Sequence, residues 1–348
     1  MKHCSLFFIC LFIILSFPLR GISQQKNVKV VCVGFYNLEN LFDTIKSPVT
    51  DDTEFTPAGI SQWNTKKYLT KLDHLASVIS KIGEEYSKGG PMAMGLSEVE
   101  NRNVVEDLVH TAPLDKSNYG VVHYDSPDKR GIDVAFIYRT SQLKVIDSRP
   151  VHFYLPSEPD FRTRDILVVS GVFDSDTLYF MVNHWPSRSK GEMESAYLRN
   201  AAADLCRTTA DSIMNVHPGA KIIIMGDLND DPTNASLMEH LKVQIRPEKV
   251  GKKDLYNPMW KLFRDGAGSL AYRDSWNLFD QMIVSGGLMK QNSGGYFYYS
   301  SKVFRQPFLL QKEGQYAGYP FRTYAGGVYM GGYSDHLPVY TVLIKELH

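Results

Sequence analysis

Lys221-Ile222-Ile223-Ile224-Met225-Gly226-Asp227-Leu228-Asn229 is the stretch on which the reading of the fold turns. A short apolar run without alternation, bounded here by Gly219 and Gly226, reads as a fully buried strand. It ends in a cluster of oxygen-bearing side chains, Asp227, Asn229, Asp230 and Asp231.

Working outward, further strand-like runs fall at residues 28–33, 92–96, 120–124, 134–138, 166–173, 178–182, 281–284 and 339–344. Helical spacing joins Leu69, Leu72, Leu75, Ala76 and Ile79 within 68–82, and Leu198, Ala201, Ala202, Leu205, Thr209 and Ile213 within 194–214. A shorter helix is predicted over 104–110. Runs 166–173 and 178–182 follow one another with no helix between them, which argues for antiparallel hairpins rather than uniform βαβ units. Mixed sheets covered by helices, an α/β sandwich, fit this order of elements. Residues 246–274 and 294–332 read as long connections, the second dense in Gly, Tyr and Phe. Such connections either contact substrate or are packed by their own aromatics.

The chain has 348 residues, 43% hydrophobic and 22% charged, an ordinary globular balance. Lys+Arg and Asp+Glu both number 38, so net charge argues neither for nor against a polyanionic partner. Lys2 and His3 precede an apolar run over 6–15, and Gly21 and Ser23 follow. That is the grammar of a secretory signal peptide, expected at 1–23. The run is shorter than the ~20 residues a membrane span needs. The expectation is an exported protein, periplasmic or secreted, with one catalytic domain over 24–348 and no stable membrane span. Cys4 and Cys10 leave with the leader; Cys32 and Cys206 read as buried free thiols, with no zinc spacing.

Polar residues gather at the ends of the apolar runs. Asn37, Glu39 and Asn40 follow the first, Glu98 and Glu100 the second, Asn183 and His184 the run 178–182. Asp280 and the pair Asp335-His336 lie at strand starts instead. One such residue means little, because turns favour Asp and Asn. Together, carboxylates, amides and two histidines suit a hard cation such as Mg²⁺ or Ca²⁺ bound with water and a substrate phosphate. Metal-assisted phosphoryl displacement needs carboxylates for the ion, a base for water, and donors for developing charge.

The ordered set Tyr36-Asn37-Leu38-Glu39, Leu96-Ser97-Glu98, Asn183-His184, Gly226-Asp227-Leu228-Asn229, Phe279-Asp280-Gln281-Met282 and Ser334-Asp335-His336-Leu337-Pro338 resembles the motif series of the endonuclease/exonuclease/phosphatase superfamily. The resemblance implies a four-layered α/β sandwich, with two mixed β-sheets face to face and helices outside. It implies a divalent-metal-dependent phosphodiesterase using Mg²⁺, Mn²⁺ or Ca²⁺. Glu98 would be the principal metal ligand, with Asn37, Glu39 and Asp335 as further ligands. Asp227 and Asn229 would orient water and bind phosphate. His336 would be the general base or a phosphate-stabilising imidazole, oriented by Asp280, and His184 would donate to a phosphate oxygen or the leaving group. Glu100, Asp230 and Asp231 read as solvated or structural. Arg130, Arg164 and Arg188 are candidate substrate ligands, since guanidinium forks suit phosphate, and surface solvation is the competing reading for each.

The texture of Asn183-His184-Trp185-Pro186-Ser187-Arg188 is similar to exported bacterial nucleases of the superfamily, which makes nucleic acid the expected substrate. A phosphatase or phosphodiesterase of phospholipid head groups or inositol phosphates is the same-chemistry alternative. A non-catalytic binding module is a third, opposed by the complete acid, amide and imidazole set.

Overall fold

A computed structural model describes residues 27–347, so the leader expected at 1–23 lies outside the described residues. In chain order the elements are β1 (Val28–Leu41), α1 (Thr65–Ile79), β2 (Ala93–Val99), α2 (Arg102–His110), β3 (Tyr119–His123), β4 (Asp133–Arg139), β5 (Leu143–Val151), β6 (Ile166–Phe173), β7 (Asp176–His184), α3 (Ala196–Val216), β8 (Lys221–Asp227), β9 (Val243–Gln244), β10 (Leu255–Tyr256), α4 (Met259–Arg264), β11 (Leu270–Tyr272), β12 (Ser275–Asn277), β13 (Asp280–Ser285), β14 (Phe297–Val303), β15 (Tyr324–Ala325), β16 (Val328–Tyr329) and β17 (Val339–Glu346).

Two mixed sheets form, in the orders β14-β17-β1-β2-β4-β3 and β5-β6-β7-β8-β13-β10-β9. The isoleucine run is the interior of the second. β8 pairs in parallel with β7 and antiparallel with β13, so Ile224 lies between Met181 and Ile283. Ile223 and Met225 enter the core between the sheets with Phe35, Phe136 and Phe180. Ile222 and Ile224 point the other way, against Cys206, Ala210 and Ile213 of α3. Both faces are dry, which is why the run does not alternate. Each fully buried isoleucine contributes roughly 1.5–3 kcal/mol.

The sheets meet through contacts such as Phe136 and Phe180, whose ring centroids are 4.8 Å apart. They pack tightly at Gly95, where an added Cβ would lie 2.7 Å from Met225 Sδ and 2.9 Å from Val182 Cγ1; any larger residue there would have to displace these side chains. On the outer face of the first sheet, Leu72, Leu75 and Ile79 of α1 and Val104, Val105 and Leu108 of α2 cover Cys32 and Tyr36. Asn64 and Asn101 cap these helices, accepting from Lys67 N and Val104 N. The layers are therefore helix, sheet, sheet, helix, the sandwich expected from the motif series.

Three readings change. Leu69, part of the helical apolar spacing of α1, is 53% exposed, while Lys71 takes a core-facing place. The stretch 294–332 opens as a strand, because β14 pairs with β17 through a bulge between Tyr298 and Ser300 that breaks the alternation. The stretch 246–274 holds β10, α4 and β11. The edge strand β5 also escaped the sequence reading, since only Leu143 along it is buried.

Candidate active site

The functional side chains converge because of strand direction. β1 runs parallel to β2, and β7 to β8, so their C-terminal ends lie at one edge of the sandwich. Antiparallel neighbours begin where these end: Asp280 at the start of β13 pairs with Asp227 at the end of β8. This is why two of the clusters sit at strand starts. β1 and β2 continue past the runs read from sequence, so Asn37, Glu39 and Glu98 lie on strands. Their ladders are irregular there, with register breaks between Asn37 and Leu41 and between Ser97 and Val99. Glu39, Asn40 and Glu98 have φ of 50°, 56° and 59°. Bulged backbone of this kind re-aims side chains at functional edges.

Asp227 is the hub. Its Oδ2 accepts from Asn37 Nδ2 at 3.0 Å and its Oδ1 from Asn229 N at 3.0 Å. His184 Nε2 stands 3.7 Å and His336 Nε2 3.8 Å from the same Oδ2. Glu98 lies alongside, 3.9 Å from His184 Nε2, with Oε2 accepting from Asn40 N at 3.0 Å. Asp280 Oδ2 accepts from His336 Nδ1 at 2.7 Å and from Ser269 Oγ at 2.5 Å. Ser334 Oγ donates to Asn37 O and accepts from His336 N, tying the β17 approach to β1. Asn229, in the left-handed region at φ 51°, donates through Nδ2 to Trp185 O.

Charge is tuned differently at each group. Burial pushes Asp227 up to about 6, opposed by His336 and reinforced by Asp280. Burial alone would lower His336, but Asp280, Asp227 and Asp335 outweigh it and hold the imidazole well above its ordinary value. Burial, with Arg164, Arg130 and His336, drives His184 well below it. The two imidazoles are therefore pushed in opposite directions, His336 toward its cationic form and His184 toward its neutral one.

The remaining expected residues are placed as follows. Glu39 faces away from the hub: its carboxylate accepts from Thr323 N at 2.6 Å and lies 3.7 Å from the buried Lys71. Asp335 accepts from Arg322 and is 3.9 Å from His336 Nε2. Arg164 is spent on Asp128 and on the carbonyls of His184 and Trp185, buttressing the His184 strand end. Arg188 binds Asp230, Glu192 and Asn229 O, and stacks over Phe279. Arg130 is half exposed at the rim, 3.8 Å from Asp128. Asp230 pairs with Arg199, and Asp231 accepts from Leu278 N and Asn277. Both are structural, as expected; Glu100 accepts from Asp43 N. Four contributors carried no sequence signal that was used: Lys71, Asp128, Ser269 and Arg322. Lys71 was findable as a lysine one place before Leu72 on the apolar side of α1. A cavity of about 530 Å³ near Tyr179, His217 and Lys221 includes none of these residues.

The model for the endonuclease/exonuclease/phosphatase family matches residues 32–345. The chain belongs to that family. Among solved structures, D. rerio TDP2 humanised by 14 mutations has a TM-score of 0.56 at 14% identity, over 90% of this chain and 99% of that one. D. rerio TDP2 complexed with a single-strand DNA product has 0.54 at 14%, over 90% and 98%. A mannosyl-6-phosphatase from Bacteroides thetaiotaomicron has 0.53 at 15%, over 90% and 99%. At these identities the likeness concerns the fold. A search of curated proteins finds no sequence match. Among the described residues no helix is long and apolar enough to cross a membrane.

As a family member the protein is a metal-dependent phosphoester hydrolase, and the donor set fits a divalent cation. Asp227, Asp280 and His336 bring ligand atoms within 4.8 Å of one another. Asp280 and His336 are engaged with each other, however, so the better oxygen donors are Glu98 and Asp227. Glu98 Oε1 has only a long amide contact with Asn37, at 3.4 Å, and the side chain is 15% exposed. An all-oxygen, part-open position of this kind suits a hard ion that keeps some of its water.

Proposed function

We propose that the protein is an exported, Mg²⁺-dependent nuclease that hydrolyses DNA or RNA phosphodiester bonds by in-line attack of water. The observation that carries the reading is the opposition of two unlike imidazoles across one carboxylate, beside Glu98. Glu98, with Asn37 and Asp227, would hold the ion, which supplies Lewis-acid stabilisation of the phosphoryl oxygens when bound. Asp227, its carboxylate held by Asn37 Nδ2 and Asn229 N, would orient the attacking water and accept its proton as the new bond forms. His336, kept cationic by Asp280, donates to a phosphate oxygen as charge builds. His184 stays neutral and contributes a hydrogen bond rather than a proton. The water oxygen forms the new P–O bond, the ester P–O bond breaks, and the departing oxygen takes its proton from solvent. Nucleic acid is supported by the exposed Arg130 at the rim and by the DNA product held by a structural neighbour.

A second reading, phosphorylated polyols such as inositol phosphates or lipid head groups, has its own observation. A cavity of about 150 Å³ beside Glu39 and Asn40 is walled by Trp63, Phe55 and Tyr324, with Glu54 and Ser61 as polar lining. Aromatic walls with a few fixed polar groups suit a ring. The two readings separate on a panel of plasmid DNA, RNA, a phosphocholine lipid and an inositol phosphate. Mg²⁺-dependent nicking is expected. Silence on both nucleic acids, with phosphate released from the inositol substrate, would replace the first reading by the second.

A further inference from the structure

Where the chain leaves β7, along Pro186 to Lys190, lies a cleft of about 150 Å³ that the catalytic cluster does not use. Its lining includes Arg130, Arg162, Lys190, Thr163, Ser187 and Ser189, and no carboxylate. The cations are not consumed by ion pairs. Arg162 donates only to the carbonyls of Pro159 and Phe161, through one nitrogen. Among the described residues Lys190 has no hydrogen-bond or charge partner, and Arg130 has only its 3.8 Å approach to Asp128. Thr163 is 2% exposed, yet its Oγ1 has no partner. A buried hydroxyl without a partner is destabilising, and an oxygen-rich ligand that reached it from the cleft would satisfy it. The cleft also receives the start of α3, through Ser195. The first helical amides are engaged, Ala196 N with Met193 O and Leu198 N with Ser195 O. The helix therefore contributes its positive end rather than donors.

We propose that this cleft is a second phosphate subsite, and that the preferred substrate carries another phosphate near the scissile one. The inference rests on the reading that the scissile group sits on the Glu98–His336 cluster. The cleft adjoins the His184 strand end: Arg164, part of its lining, donates to His184 O at 3.2 Å, and Arg130 shares Asp128 with it. In nucleic acid the second phosphate is the neighbouring backbone group; in a polyol it is a second ester on the ring.

Binding, rather than turnover, tests this. Affinities are measured calorimetrically in Mg²⁺ for thymidine 3′,5′-bisphosphate against thymidine 5′-monophosphate, and for inositol 1,4-bisphosphate against inositol 1-phosphate. The protein is compared with the exposed double variant Arg162→Ala/Lys190→Ala and with Thr163→Val. The bisphosphate nucleotide is expected to bind about tenfold tighter than the monophosphate, the scale of charge-assisted contacts. That preference should fall to about twofold in the double variant and by an intermediate amount in Thr163→Val. Equal binding of mono- and bisphosphates in both pairs, or a preference that survives the double substitution, overturns the subsite. A preference confined to the inositol pair, and lost in the double variant, supports the subsite while removing the nucleic-acid reading.

Discussion

The β7 edge and the β17 approach face the same oxygen with the same residue type in unlike charge states. His184 reaches Asp227 from one side and His336 from the other, at 3.7 and 3.8 Å. Both are buried, so burial cannot separate them. The difference is what stands behind each ring. Behind His336, on Nδ1, is Asp280, and Asp335 lies 3.9 Å from its Nε2; both add to the pull of the shared Asp227. The charges bearing on His184 are Arg164 and Arg130, and its Nδ1 has no partner. Neighbouring charge, not residue identity, assigns one imidazole the cationic donor's part and the other the neutral one.

If that comparison is right, the two sides respond unequally to substitution. His336→Ala should lower kcat on a nuclease or bis-aryl phosphodiester substrate by about 10³–10⁴-fold. Next in size, Asp280→Asn should cost about 10²-fold and leave a distinct signature. With its carboxylate partner gone, the pKa of His336 falls, so the alkaline limb of the pH–rate profile should move to lower pH. A limb that stays in place would mean His336 does not act as the cation. His184→Ala should cost about 10²-fold, the scale of one lost donor, with the alkaline limb unmoved.

The smallest effect is on stability. Asp227 is buried and its carboxyl is raised to about 6, against an unfolded value of ~3.9. A raised acid weakens the fold as pH rises: the cost grows above the unfolded value and is complete above the folded one. Removing the charge with Asp227→Asn should therefore stabilise the metal-free protein by about 3 kcal/mol at pH 8. By differential scanning calorimetry that is a rise in Tm of roughly 4 °C for a domain of this size, shrinking below pH 6. Equal Tm for the two proteins at pH 8 would show that Asn37 Nδ2 and Asn229 N already compensate the carboxylate.

Much of this was readable before any coordinates. Ile222 to Ile224 announced a strand buried on both faces, and the oxygen-rich residues after it marked the working edge, because strand ends are where a sheet can expose polar groups. Asp280 and His336 were also found, though at strand starts, since antiparallel neighbours bring those starts to the same edge. What stayed hidden depends on backbone detail or on distant partners. Glu39 shares the Asn37 motif, yet the bulge beyond Asn37 turns it to Thr323 and Lys71. Arg164 and Arg188 look like phosphate ligands by type, but Asp128 and Asp230 engage them. No local pattern encodes a pairing across 36 or 42 residues. β14 was missed because its bulge breaks the period-2 pattern.

The central claim is metal-dependent phosphoester hydrolysis at the edge where Glu98, Asp227 and the two histidines meet. The most direct test is hydrolysis of a bis-aryl phosphodiester by the protein and by Glu98→Ala, each in Mg²⁺ and in EDTA. The account predicts turnover by the unsubstituted protein in Mg²⁺, loss of it in EDTA, and a fall of about 10³-fold or more in the variant, the scale of several kcal/mol of lost charge stabilisation. Undiminished turnover in EDTA, or by Glu98→Ala in Mg²⁺, would contradict it.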